Sequence, residues 1–514
     1  MSNVSQSRFA NSAKNMLFST FAQVLTIVLN IIGRRVFVDV LSAEYLGIST
    51  AFSSILTVLA LAELGVGSAI IYSLYKPIAE HDEEKIRSLM RLYKQVYCCV
   101  GALILVAGGA LTPFLHLFVE EMPDIAGVQW IYLMLVAQTG VTYFFSYKTS
   151  FLTATQQSHI LHKYDMVTAV VQIGLQILAL LLTGNYFLYL GIGIICPFTK
   201  NVLATIQIDR MYPFLRQKAT QLSKEETGKI KKNVLALFIY KVCQKLSTTI
   251  DTLLISKMLG VTEVAIYSNY HLIISYSDLL FINVLGAVTP SVGNLMATED
   301  TGKKRAFFAA LQMVYYWVST YLAVGLIVMF NPLIELWLGE SYLFDQSIVV
   351  ALAVSITLTN FQRPCSLVRD ANGLFWYGKF RPLAMALINL GVSIYLVSQV
   401  GTIGVVIGTC ISKLATFVWY DPYIVYKHTL KEGLKNYFLK YAMQWLLLAA
   451  LALVCFYLYS WMALDGLLGF VVGVVLVTVI VNGVFLALYF RTPEFKYVKQ
   501  MAGKVLGKFL KPRK

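Results

Sequence analysis

The chain has 514 residues, 58% hydrophobic and only 13% charged, with 42 Lys and Arg against 27 Asp and Glu and a formal net charge of +15. Soluble domains carry about a quarter charged residues, so this composition excludes a soluble enzyme. It also excludes a nucleic-acid binder, because the basic residues form no single stripe or domain. Apolar runs of about 20 residues recur throughout, each long enough to cross a hydrocarbon core of roughly 30 Å, and the chain reads as an all-α polytopic membrane protein.

The first run, 15–37, follows MSNVSQSRFANSAKN. That opening lacks the short apolar core and small-residue cleavage site of a signal peptide, so the first span is expected to be retained. It ends in NIIGRRVFVDV, with Gln23, Asn30 and Arg34 on one helical face and Arg35 beside them. Two readings account for these arginines: snorkelling into the outer headgroups, or an electropositive vestibule facing a cavity. Spans at 47–72, 94–113, 128–147, 165–183 and 186–207 follow. Glu63, in TVLALAELGVGSA, is either an acceptor beside close packing at Gly65 and Gly67 or a cation-coupling carboxylate.

The connection 209–232 is the longest and most polar in the chain and reads as a linker. The next span, 233–257, is NVLALFIYKVCQKLSTTIDTLLISK. A charged residue at mid-span costs about 2.5–3.5 kcal/mol, so such residues face a cavity or a partner helix. Lys241 and Lys245 share a face with Thr248 and Thr252, and Asp251 lies roughly 80° round from Lys241. Two lysines against one aspartate favour an anionic ligand over a simple helix-locking pair. Later spans are expected at 265–296, 306–329, 345–365, 382–400, 402–421, 439–461 and 466–489, about fourteen in all. His271, Ser275 and Asp278 share one face of the first of these, and Lys413 sits near the middle of GTIGVVIGTCISKLATFVWY.

Charge asymmetry sets the expected orientation. YKPIAEHDEEKIRSLMRLYK, the 209–232 connection, TEDTGKKRAFF and the basic tail carry the cations, whereas LSAEYLG, TPFLHLFVEEMPDIAG, TGNYF, NPLIELWLGESYLFD and WMALDG hold no Lys or Arg. Both termini are therefore expected in the cytoplasm. EHDEEK reads as part of a solvated cytoplasmic helix. Lys14-Asn15 recurs as Lys232-Asn233, and Leu41 recurs as Leu259 at the same offset. Weak repeats of this kind mark transporters built from two related bundles. The expected organisation is a six-helix lobe over 1–208, a linker over 209–232, a second six-helix lobe over 233–425, and two further helices with a basic tail over 426–514.

Enzymatic chemistry finds no foothold. No GxxxxGK[ST] loop supplies an ATPase engine, no His/carboxylate spacing suggests a metal, and the short outer connections leave little room for a loop-borne active site. Cys98, Cys99, Cys196, Cys243, Cys365, Cys410 and Cys455 lie in or beside apolar runs and read as small packing residues.

Four segments together resemble the Wzx-type polysaccharide flippases of the multidrug/oligosaccharidyl-lipid/polysaccharide (MOP) exporter superfamily. They are LSAEYLGISTAFSSILTVLALAELGVGSAIIYSLYKPIAEHDEEKI, IDTLLISKMLGVTEVAIYSNYHLI, RDANGLFWYGKFRP and GTIGVVIGTCIS. The resemblance implies two six-helix lobes around a V-shaped cavity, two extra helices and alternating access in the bacterial cytoplasmic (inner) membrane. It implies a cargo of oligosaccharide on polyprenyl diphosphate, moved to the outer leaflet for O-antigen, capsule or exopolysaccharide. Arg34, Arg35, Lys241, Lys245 and Lys413 would draw the diphosphate while the lipid tail stays in the membrane lipid. Glu63, Asp251, Asp278 and His271 would serve ion coupling or charge pairing with an H+ or Na+ gradient and no cofactor. Other polysaccharide-assembly membrane proteins are the implied protein partners. A multidrug exporter of the same superfamily, with carboxylates dominating, and a membrane polymerase or glycosyltransferase are the alternatives.

Overall fold

A computed structural model describes residues 23–61, 66–119, 122–155, 157–217, 220, 222, 228, 249–286, 292, 295, 296, 299–372, 374–378 and 380–510. Among the described residues every regular element is helical, and eleven helices are long and apolar enough to cross a membrane. Parts of the first, second, seventh and eighth expected spans lie outside the described residues. The chain divides into two compact units, Met1–Ala265 and Ile266–Lys514. Half of the expected linker over 209–232 lies outside the described residues, and its first residues end α8.

The first unit contains α1 (23–40), α2 (Ala43–Ala60), α3 (Val66–Glu80), α4 (Glu83–Ala110), α5 (Val128–Ser146), α6 (Thr149–Ala154), α7 (Ser158–Thr183), α8 (Tyr186–Met211) and α9 (249–258). Asp82 caps α4 by accepting from the Lys85 N–H at 2.9 Å, and α4 runs on unbroken to Ala110. EHDEEK thus leads directly into a spanning helix instead of a separate solvated one. α7 stops at Gly184, whose φ of +60° suits a residue without Cβ. The next residue, Asn185, caps α8 by accepting from the Phe187 and Leu188 N–H groups. This two-residue turn makes α7 and α8 an antiparallel hairpin. The unit's core is built where α2, α4 and α5 meet: Ile48, Phe52, Ile55, Ile104, Ile131 and Tyr132 are almost fully buried, with Phe52 edge-on to Tyr132 at 5.1 Å.

The second unit begins within α10 (Val261–Gly286) and continues with α11 (Thr301–Leu338), α12 (Gln346–Ala371), α13 (Arg381–Val400), α14 (Thr402–Ala415), α15 (Phe417–Val425), α16 (Lys435–Met462), α17 (Gly466–Tyr489) and α18 (Pro493–Leu510). The run read as one span over 402–421 is part of one candidate span, Thr402–Leu430, with non-helical dihedrals at Thr416 (φ −118°, ψ −80°) between α14 and α15, both of which pack against α12. α11 is 38 residues, about 57 Å at 1.5 Å per residue, and forms the unit's spine. Phe308, Tyr316, Val324, Phe330 and Ile334 bury its length, and α12, α16, α17 and α18 pack around it. α7, α8, α13 and α17 instead expose Leu, Val and Ile along their outer faces, the pattern of helices solvated by lipid.

Candidate functional site

In the first unit, the end of α1 is held by aromatic packing. Phe37 is buried and meets Tyr186 and Tyr189 of α8 edge-on at 5.6 and 5.4 Å. Tyr186 in turn contacts Tyr45 at 5.3 Å and hydrogen-bonds Ser49 of α2. Gly33 allows α1 to approach Ile173 of α7. This cage fixes the height of Arg34, which is close enough to Tyr189 for its charge to act on the phenol. Arg35 is engaged differently: its Nε donates to Asp39 Oδ2 at 2.8 Å, with both side chains about half exposed. Asn30, on the expected polar stripe, donates to the Thr26 carbonyl at 2.8 Å. Asp251 is buried on α9, as are Thr249, Thr252 and Ser256. Lys241, Lys245 and Glu63 lie outside the described residues.

In the second unit, one face of α12 organises the charges. Ser355, Thr359, Arg363, Ser366 and Asp370 recur at spacings of three and four along it. Nearest its start, Ser355 accepts twice from Lys413 of α14, through its carbonyl and its hydroxyl oxygen, each at 2.8 Å. Two turns on, the guanidinium of Arg363 pairs with Asp278 of α10 and its Nε donates to Asn360 Oδ1 at 2.7 Å. His271 and Ser275, on the Asp278 face of α10, are 3.2 Å apart through His271 Nδ1, and the His271 ring tilts against Tyr267 at 5.7 Å. α12 therefore brings the partners of Lys413 and Asp278 onto one line, and His271 remains in a local pair beside it.

The far end of α12 carries a cluster that sequence reasoning missed. Asp421 of α15 is fully buried. It accepts from Ser366 Oγ at 2.8 Å and Arg369 Nη1 at 2.9 Å, and pairs with Arg381 at the start of α13. Arg369 also reaches Asp370, at 2.8 Å. Asp421 tethers α15 to α12 and α13 just beyond the interruption at Thr416. The signal was present: Arg363 and Asp421 sit inside runs read as spans, and Arg369 and Arg381 bracket RDANGLFWYGKFRP. Among the described residues no group of three or more His, Cys, Asp or Glu could hold a metal ion.

Outside the spans, Asp300 caps α11 by accepting from the Lys303 N–H at 2.9 Å. That backbone bond holds its carboxyl below the usual range.

No family model matches the sequence, and no curated protein matches it. Solved structures do. The lipid II flippase MurJ in an inward closed conformation superposes with a TM-score of 0.64 at 14% identity, over 92% of this chain and 99% of MurJ. An inward-facing multidrug resistance MATE family transporter of the MOP superfamily gives 0.61 at 15% identity, over 78% of this chain and 94% of its own. A MOP superfamily transporter from Pyrococcus furiosus, described as having a binding pocket of reverse polarity, gives 0.53 at 15% identity, over 82% and 95%. At these identities the likeness is one of fold: an all-helical, MOP-type arrangement.

Proposed function

We propose that this protein is a flippase that moves a polyprenyl-diphosphate-linked oligosaccharide from the cytoplasmic to the outer leaflet of a bacterial inner membrane by alternating access. The observation that carries this reading is the pairing of carboxylates in the second unit. Asp278 is taken by Arg363, and Asp421 by Arg369 and Arg381. A drug cation entering a low-dielectric cavity needs a carboxylate to receive it, and these two already hold guanidinium groups. Lys413 is held by the carbonyl and hydroxyl oxygens of Ser355, which orient its ammonium. Lys413 thereby offers a diphosphate a cation to leave water for, and this reading assigns Arg34, Lys241 and Lys245 of the first unit as further cations for the cargo. In this reading Arg35, paired with Asp39, serves the outer mouth. The likeness to MurJ, a lipid II flippase, extends over more of the chain than the MATE likeness does, in keeping with a lipid-linked cargo.

A second reading, an ion-coupled multidrug exporter, draws on Asp251, whose buried carboxylate is the kind of group that exchanges a proton or Na+. Under the flippase reading the same residue couples transport to an ion gradient.

Proteoliposomes loaded with a fluorescent polyprenyl-diphosphate oligosaccharide separate the two. Wild-type protein is expected to expose the glycan to an impermeant lectin on the opposite face, and Lys413→Ala and Lys245→Ala are expected to slow this by tenfold or more while retaining the wild-type melting temperature within a few degrees. Uptake of a cationic dye with no movement of glycan would replace the flippase reading with the exporter one.

A further inference from the structure

The α7–α8 hairpin carries a groove of ≈ 630 Å³ on its surface, away from the residues discussed above. The ammonium groups of Lys163 and of Lys200, which reaches Asp165, form its polar end, Val167 and Val171 of α7 its apolar wall, and Thr199 and Leu203 of α8 line it alongside. The three apolar side chains are 56%, 48% and 49% exposed, too open for a core and suited to lipid. Helix rise orders these groups by depth. Lys163 lies twenty residues before the outer end of α7 at Thr183, about 30 Å along the axis, at the edge of the hydrocarbon. Val171 lies about 18 Å along, within the hydrocarbon. Lys200 lies fourteen residues into α8, about 21 Å, from where its stem extends toward the headgroups.

Charge at the polar end counts in the same direction. Lys200 Nζ contacts Asp165 Oδ1 at 2.9 Å, with Asp165 about half exposed, a geometry that holds its partner weakly. Lys163 is exposed and adds a second ammonium at the same mouth. Two cations against one carboxylate leave one positive charge, the complement of a single phosphodiester. The apolar wall runs from that charge toward the bilayer centre, as an acyl chain does.

We propose that this groove binds one anionic glycerophospholipid of the cytoplasmic leaflet, its phosphate between Lys163 and Lys200 and an acyl chain along Val167 and Val171. The site is independent of the transported cargo and holds whether or not the flippase reading does. It makes the protein's behaviour depend on lipid charge, through a hairpin whose helix α8 also carries the Tyr186 and Tyr189 cage around Arg34.

Native mass spectrometry of the full chain, released from nanodiscs of equal phosphatidylglycerol and phosphatidylcholine, tests it. Wild type is expected to retain one phosphatidylglycerol in preference to phosphatidylcholine. Lys163→Gln/Lys200→Gln is expected to lower that preference about tenfold. Val171→Trp, which fills the groove and keeps both lysines, is expected to lower it as well. Lys440→Gln, in the second unit, where Lys440 is exposed and pairs with Glu494, is the control expected to behave as wild type. Equal retention of the two lipids by wild type, or a preference unchanged in both groove variants, overturns the proposal. So does recovery of a dimer that the Val171→Trp variant abolishes, which would assign the groove to a second copy of the chain.

Discussion

The carboxylate of Asp278 and the guanidinium of Arg363 are 32% and 23% exposed, so each has given up much of its water. Removing one partner from such a pair leaves the other partly desolvated and uncompensated, and that residual charge is what destabilises. Arg363→Gln and Asp278→Asn are each expected to cost about 1–3 kcal/mol, and the double variant less than their sum. Thermal unfolding of the four proteins in one detergent reads this coupling; strictly additive losses would mean the pair contributes nothing as a pair. Asp300 offers a pH test at the same scale. Its carboxyl is depressed in the folded chain, so its capping contribution is complete above the ordinary carboxylate pKa and lost as pH falls through the lowered folded value. Hydrogen–deuterium exchange at the start of α11, corrected for intrinsic rates, is expected to show fraying on acidification in the wild type. Asp300→Asn, which keeps a side-chain acceptor without a titrating group, should remove the pH dependence; a variant that still frays with acid would assign the effect elsewhere.

Helix pairing in this chain depends on where side chains are missing as much as on where they are present. α13 and α14 form a close hairpin because Gly404 and Gly408 let α14 sit against the α13 backbone. A Cβ on Gly408 would stand 2.2 Å from Ser393 Oγ and 2.9 Å from its backbone N, and one on Gly404 would stand 2.5 Å from the Leu396 carbonyl. Gly408→Ala is expected to cost about 1–3 kcal/mol through forced separation of the helices. Gly391→Ala, on α13 with open space around its Cβ position, should be neutral or slightly stabilising. Melting temperatures of the two variants check the contrast, and equal shifts would show that the close approach is not what holds the hairpin. The small-residue spacing in GTIGVVIGTCIS was legible from sequence, as were most span positions, because both depend on local pattern. The interruption at Thr416 was not: Asp421, just beyond it, reaches Arg369 and Arg381, and no window of hydropathy contains a contact between residues that far apart. Arg363 was passed over for the same reason, since its importance lies in a carboxylate on another helix. Lys413 was singled out as an intramembrane cation, but its seat on Ser355 required the packing of α14 against α12.

At the scale of the whole molecule, orientation ties these elements to function, because a flippase carrying cargo outward needs its cations reached first from the side where the cargo is made. The sequence argument for orientation is the absence of Lys and Arg from alternate connections, which reflects how charge resists translocation during insertion. Helical connectivity provides two well-separated reporters of it. The Ala463–Asp465 turn links α16 to α17, and Asp465 is exposed; His81 and Asp82 link α3 to α4, beside exposed Glu83. In a cysteine-free background, Asp465→Cys is expected to react with an impermeant maleimide added to intact cells, and Glu83→Cys only after the membrane is opened. The reverse labelling would place the basic connections outside. It would turn the Lys163 and Lys200 groove toward the outer leaflet and put Arg34 on the cytoplasmic side. The proposed entry of diphosphate would then have to begin at Arg34, beside the aromatic cage of Phe37, Tyr186 and Tyr189.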